Sequence, residues 1–281
     1  MYIIGIDIGG STTKIIGFRK GDLLKPLQVK ATDPLASVYG AFGRFLSEND
    51  IPLQEIDEIR ITGVGSAFVS EPLFGVRTVR VDEFRANALG GLYLTGLPEA
   101  ILVSMGTGTA YVYAADGVSE YLGGTGVGGG TLTGLSKKMI GVTGAAQISA
   151  LAEKGDLSRV NLRIGDITKK NINDILHSEA TAANFGKLDD LATSADIARG
   201  IFSLIYETVG MLAVFAARQK NTKNIVLIGN LSGLPQARET FEELNRMFGM
   251  HFLIPELSAF GTVIGAALSE DGVPLSGEAE A

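Results

Sequence analysis

The feature that most constrains this chain is a pattern that occurs twice: a β-rich run, a turn of glycines and hydroxylated residues, and a second β-rich run. In the first copy Tyr2 to Asp7 leads into Gly9-Gly10-Ser11, and Thr12 to Phe18 resumes with β-branched residues, which predicts a hairpin around a glycine turn. In the second, Ala100 to Ser104 is an apolar strand, Gly106-Thr107-Gly108-Thr109 the turn, and Ala110 to Ala114 the returning strand. Two copies, each opening a unit of roughly 100 residues or more, predict a duplicated domain with a ligand between the halves. Gly96-Leu97-Pro98 marks the boundary, giving an N-terminal half 1–97, a C-terminal half 98–271 and a flexible tail from Gly272.

Around these hairpins the hydrophobic spacing alternates between strand and helix. Leu35 to Leu46 recurs at helical spacing, Glu58 to Thr62 and Val76 to Val81 read as strands, and Asp82 is placed to cap a helix from Glu83 to about Tyr93. In the second half, helices are expected over Thr131 to Ile140, Gln147 to Lys154, Pro235 to Met247 and Ala259 to Leu268, with strands over Asn224 to Ile228 and His251 to Ile254. Ala195 to Arg218 is a long helix apolar on most faces, expected to lie buried between layers. The class is α/β.

Composition removes several functions. The formal net charge of −7 opposes binding to nucleic acid, and zero Cys excludes disulfides, thiolate nucleophiles and cysteine-held iron–sulfur or zinc centres. The only histidines, His177 and His251, are far apart. The longest apolar stretch, Val209 to Ala217, is bounded by Glu207 and Arg218, and no basic leader precedes the first strand, so the expectation is a cytoplasmic protein with no membrane partner. The 37 glycines gather after strand-like segments, where backbone must approach a ligand closely.

The chemistry concentrates in those clusters. In Asp7-Ile-Gly9-Gly10-Ser11-Thr12-Thr13-Lys14, N–H groups and hydroxyls can surround a phosphate, Asp7 can hold Mg²⁺ through water, and Lys14 can neutralise oxygens. Thr107 and Gly108 offer the same cradle from the other half. The run Gly123 to Thr131 contains G-x-G-x-x-G at Gly124, Gly126 and Gly129, but no carboxylate follows between Lys137 and Ala150, which rejects a dinucleotide fingerprint. No G-x-x-x-x-G-K-[ST] occurs, so a P-loop is excluded as well. Gly128-Gly129-Gly130 opens a helix whose first N–H groups suit an ATP phosphate. Glu83, at a helix start beside Asp82 and Arg85, suits a general base, although an exposed first-turn Glu is common without any such role.

Together these residues resemble the type II pantothenate kinase family, within the superfamily of actin, hexokinase and the heat-shock chaperone ATPases. The similarity runs from Tyr2 to about Leu268 and rests on Gly5-Ile-Asp-Ile-Gly-Gly-Ser, Gly106-Thr-Gly-Thr, Gly123-Gly-Thr-Gly-Val-Gly-Gly-Gly-Thr and Thr181-Ala-Ala-Asn-Phe-Gly186; the last has no obvious chemistry of its own. The resemblance implies duplicated ribonuclease H-like, actin/hexokinase-type domains around a nucleotide cleft. It implies phosphorylation of pantothenate at its primary hydroxyl by ATP with Mg²⁺, the first step toward coenzyme A, in a homodimer whose long helices pack together. It maps the base onto Glu83 and phosphate contacts onto Gly9, Gly10, Ser11, Lys14 and Thr107, with helix N-terminal contacts from Gly128 to Gly130 and with Gly229-Asn230 near the nucleotide.

One departure matters. Where the family carries an Arg that contacts substrate and transferring phosphate, two residues before the Gly-Gly, this chain has Tyr121, which cannot replace a guanidinium fork. Lys137 and Lys138 are the compensating candidates. A sugar or amino-sugar kinase of the same superfamily would use the same nucleotide motifs, and a coenzyme A- or nucleotide-binding regulator without turnover is the reading Tyr121 favours. Superfamily activators of radical dehydratases hold an iron–sulfur cluster on cysteines, which this chain lacks.

Overall fold

A computed structural model describes residues 2–31, 33–115, 117–168 and 178–275. The first half begins with β1 (Tyr2–Ile8) and β2 (Thr12–Arg19), then β3 (Asp22–Leu23), β4 (Leu27–Lys30), α1 (Pro34–Glu48), β5 (Ile56–Thr62), β6 (Thr78–Arg80) and α2 (Glu83–Thr95). The second begins with β7 (Glu99–Met105), β8 (Thr109–Ala115) and β9 (Val118–Thr125), continues through α3 (Gly129–Ile140) and α4 (Ala145–Ala152), and adds the small pieces β10 (Leu162–Arg163), α5 (Ile164–Ile167) and β11 (Thr181–Ala183). It ends with α6 (Ser194–Gln219), β12 (Asn224–Ile228), α7 (Pro235–Phe248), β13 (His251–Leu253), α8 (Gly261–Leu268) and β14 (Val273–Pro274).

The duplication is visible in the sheets. The first places β4-β2-β1-β5-β6 side by side and the second β9-β8-β7-β12-β13. In each, the opening hairpin is antiparallel and the next two strands run parallel to its first member. Each sheet has an apolar layer on its outer face: Val38, Phe42 and Phe45 of α1 cover the first, and α6, with α3, α4 and α7, covers the second. Among the described residues α6 is the one helix long and apolar enough to cross a membrane, but its Ile201, Phe202, Ile205, Tyr206 and Val209 are buried in that layer.

Between the sheets lie α2 and α8. Val263, Ile264 and Ala267 of α8 pack with Ile16 and Phe18 of the first sheet, while Ala88 of α2 packs with Leu102, Val112 and Val226 of the second. The two helices touch backbone to backbone, since a Cβ on Gly90 would sit 1.8 Å from the Gly261 carbonyl and one on Gly265 1.8 Å from that of Ala86. Only glycine permits that approach.

Three features change or go beyond these expectations. The glycine run from Gly123 is part of a strand, because Val118 to Thr125 pairs antiparallel with β8 along its length. Gly-Gly reads as a breaker, yet an edge strand such as β9 tolerates it. Thr181 to Ala183, which has no signal beyond a loop, pairs with Leu162 and Arg163. The C-terminal segment does not stay with the second half: α8 covers the first sheet, and Val273–Pro274 extends that sheet by pairing with β6. The tail expected from Gly272 is therefore structured as far as Leu275, whose N–H donates to the Thr78 carbonyl at 2.9 Å. His177 and residues 276–281 lie outside the described residues.

Candidate active site

The two hairpins bring their turns to the same end of the facing sheets. On β1, Asp7 pairs in register with Lys14 of β2 and with Thr62 of β5. Chain β5 must then pass tightly by, because a Cβ on Gly63, where φ is +84°, would lie 2.5 Å from Asp7 Oδ1. Lys14 is only 5% exposed. Burial raises the Asp7 carboxyl above its usual value and lowers the Lys14 ammonium, while each charge opposes the shift of the other. The Thr62 hydroxyl, fully buried, has no hydrogen-bond partner among the described residues.

Across the cleft, Ser11 Oγ lies 3.5 Å from Thr107 Oγ1. Asn230, just beyond β12, donates from Nδ2 to Thr12 Oγ1 (3.3 Å), and its Oδ1 accepts from Gln28 Nε2 (3.3 Å). The turns thus face one another. Glu83 is the first residue of α2, held there by Asp82, whose carboxylate accepts the Arg85 N–H at 2.8 Å. Burial first, and then the charges of Asp7 and Asp82, push the Glu83 carboxyl above the ordinary glutamate value of 4.5. A carboxylate in that environment is a stronger base than one in water.

A cavity of about 500 Å³ gathers these groups. Asp7, Gly9, Gly10, Ser11, Thr12 and Lys14 line it from the first half, and Thr107, Gly108, Tyr121, Gly229 and Asn230 from the second. Glu83 stands between them. Gly128, Gly129 and Gly130 are not in the lining, which corrects the expectation of free N–H groups at the start of α3. The N–H groups of Gly129 and Gly130 donate to the carbonyls of Gly106 and Thr107 at 2.9 and 2.8 Å, and that of Gly128 to Thr131 Oγ1 at 3.2 Å. Their work is to hold the second turn in shape. Lys137 and Lys138 are also outside the cavity, exposed in the last turn of α3, so they do not stand in for the missing Arg.

The Fumble family model matches residues 25–249. A type II pantothenate kinase of Oceanobacillus iheyensis is 32% identical over 238 residues, 82% of this chain and 84% of that one. The chain belongs to the type II pantothenate kinase family. Among solved structures, component A of the (R)-2-hydroxyglutaryl-CoA dehydratase of Acidaminococcus fermentans superposes on the kinase with a TM-score of 0.68 at 15% identity, covering 95% of this chain and 96% of that one. A ROK hexokinase from Thermus thermophilus gives 0.53 at 14% identity, covering 95% and 98%. These likenesses are of fold alone: the kinase shares the two-sheet α/β architecture of those two structures.

The motif Thr181 to Gly186, one of those on which the resemblance rests, lies away from the cavity. Thr181 Oγ1 and Asn184 Nδ2 donate to the two carboxylate oxygens of Glu207 at 2.9 and 3.1 Å, and Ser203 Oγ donates to Oε1 at 2.5 Å. Asn161 Oδ1 accepts the Phe185 N–H at 3.1 Å. The motif is a clamp that fastens β11 and its loop to α6, a role no local sequence signal reveals because its partners are distant in the chain. Phe84, Gly63, Ser104, Thr125 and Thr262 also line the cavity and were not legible as site residues. Phe84 follows the candidate base directly, and that adjacency is the one signal that pointed to it.

Proposed function

We propose that this kinase transfers the γ-phosphoryl group of MgATP to the primary hydroxyl of pantothenate, as a cytoplasmic homodimer. The observation that carries this reading is that Glu83 and both glycine-hydroxyl turns line one cavity between the halves. The triphosphate lies between the turns, where the hydroxyls of Ser11, Thr12 and Thr107 and the Lys14 ammonium face its oxygens. Asp7 would hold the nucleotide's magnesium through water, and the ion would offset the charge of the phosphates. Asp7, the carboxylate near the end of β1, lines the cavity beside the first turn, where it would meet such an ion.

Glu83 accepts the proton of the attacking hydroxyl. Its raised pKa supports that role, provided the carboxylate is ionised before each turnover. Most of the rate comes from placing the hydroxyl in line with the γ-phosphorus and excluding water as the halves close on α2 and α8. Dimerisation is supported by α6, whose outer side leaves Leu212 and Phe215 exposed, 39% and 56%.

The test is ADP release with pantothenate or N-acetylglucosamine as acceptor, using the wild type and Glu83→Gln. Turnover with pantothenate alone, reduced about 10²–10⁴-fold in the variant, is expected. Turnover with the amino sugar instead rejects the acceptor, and an undiminished variant rejects the base.

A further inference from the structure

The end of the cavity beside Glu83 carries a ring stack that phosphoryl transfer itself does not require. Along β9, Tyr111 pairs with Gly123 and Val112 with Tyr121, so Leu122 is an extra residue in the strand. Such a bulge re-aims the neighbouring side chains. Leu122 packs into the layer beneath α6, whereas the Tyr121 ring stacks on Phe84 of α2, with centroids 4.1 Å apart and planes at 21°. Its hydroxyl reaches over Gly124, where a Cβ would lie 3.0 Å from it. Tyr121 remains 50% exposed, so the ring is not core filling. Both rings line the cavity that holds Glu83, and Phe84 is its chain neighbour.

The charges nearby sharpen the chemistry. Among the described residues Lys14 is the one cationic side chain in the lining, and it is paired in register with Asp7. Beside Glu83 the wall is therefore a neutral aromatic face. Such a face gains from covering alkyl groups, and it penalises hydroxyls that would lose water against it.

We propose that the Phe84–Tyr121 stack is a specificity-determining wall that packs against a bulky, uncharged alkyl centre next to the reacting hydroxyl. The proposal rests on the pantothenate reading, because the carbon beside that acceptor's hydroxymethyl group carries two methyl groups. Covering them with the rings orients the hydroxymethyl toward Glu83 and is worth about tenfold in affinity, the contribution of roughly two buried methyl groups after incomplete burial. A sugar hydroxymethyl, flanked by a ring oxygen and hydroxyls, gains nothing there.

The experiment compares pantothenate with the analogue in which both methyl groups are replaced by hydrogen, on wild type, Tyr121→Ala, Phe84→Ala and Tyr121→Phe. Wild type is expected to show a KM about tenfold lower for pantothenate than for the analogue. Either alanine variant raises the pantothenate KM about tenfold, changes kcat less than about threefold, and brings the two acceptors level. Tyr121→Phe, which keeps the ring, recovers most of the preference. Alanine variants that lose activity equally on both acceptors overturn the wall, and so does a wild type indifferent to the methyl groups. A wild type that turns over neither acceptor, while remaining active on another alcohol, instead rejects the pantothenate reading, and the wall's assignment falls with it.

Discussion

The turn after β1 and the turn after β7 occupy the same place in sheets of the same topology, and they differ in charge. At the penultimate register position the first hairpin pairs Asp7 with Lys14, while the second pairs Ser104 with Ala110. The first turn keeps a pair of opposite charges largely out of water, and the second has none. What the second has instead is support, because the N–H groups of Gly129 and Gly130 fix its carbonyls. Duplication supplied two glycine-hydroxyl turns, and the proposed division of labour follows: the first half would carry the charge that meets metal and phosphate, and the second would hold the triphosphate in place.

The asymmetry is tested most severely at the paired positions. Asp7→Asn is expected to lower kcat on the order of 10³-fold, because it removes the carboxylate proposed to hold the ion's water shell and leaves Lys14 without its counter-charge. Ser104→Ala, at the matching position of the second hairpin, is expected to cost no more than about threefold. Comparable losses in steady-state assays would mean that the halves share the electrostatic work after all. One step smaller, Thr107→Val removes a single neutral hydrogen-bond donor from the second turn while keeping its shape. The expected cost is about tenfold in KM for ATP, the worth of one such bond, with kcat little changed. A collapse of kcat would show that the second turn acts on the transferring group itself.

Charge placed against desolvation has a thermodynamic signature as well. Glu83 has a folded-state pKa above its unfolded value, so its contribution to stability is fully present below the unfolded value and is lost as pH rises through the folded one. At neutral pH the ionised group is therefore a liability to folding. Glu83→Gln, expected to be a poor kinase, is expected to melt higher than wild type at pH 7, with the difference shrinking as pH falls toward 4.5. Thermal unfolding at several pH values measures it, and a variant that melts lower at neutral pH removes the claim that burial dominates at this carboxylate.

The same contrast explains what the sequence made legible. Asp7, Gly9, Gly10 and Lys14 stand within one hairpin, so their chemistry and their proximity are written in consecutive residues. The second turn was readable as a glycine-hydroxyl turn for the same reason. Its support was not, because Gly129 and Gly130 reach back to Gly106 and Thr107 through a strand that the Gly-Gly pair disguises. Helix starts commonly bind anions, and only the tertiary fold shows that these N–H groups are already engaged. Phe84 was hidden by the same logic: its partner Tyr121 reaches it only through a one-residue bulge that no periodicity announces. The return of α8 and β14 to the first sheet likewise depends on glycine-to-glycine contact between helices far apart in sequence.

The smallest expected effect isolates one charge. Asp82 does two things for Glu83: it caps α2 by accepting the Arg85 N–H, and its negative charge helps to raise the pKa of the glutamate beside it. Asn caps a helix as well as Asp does, so Asp82→Asn removes the charge and keeps the cap. With that repulsion gone the ionised form of Glu83 is favoured and its pKa falls. The acid limb of the kcat/KM profile, which reports the free enzyme's base, is then expected to move to lower pH, while the plateau at high pH stays within about twofold. Asp82→Ala should shift the limb in the same direction and also lose about 1 kcal/mol of stability with the cap. A limb that stays fixed in Asp82→Asn, or moves upward, would mean that the group titrating in the profile is not Glu83, and the search for the base would turn to Asp7, the other carboxylate of the charged first half.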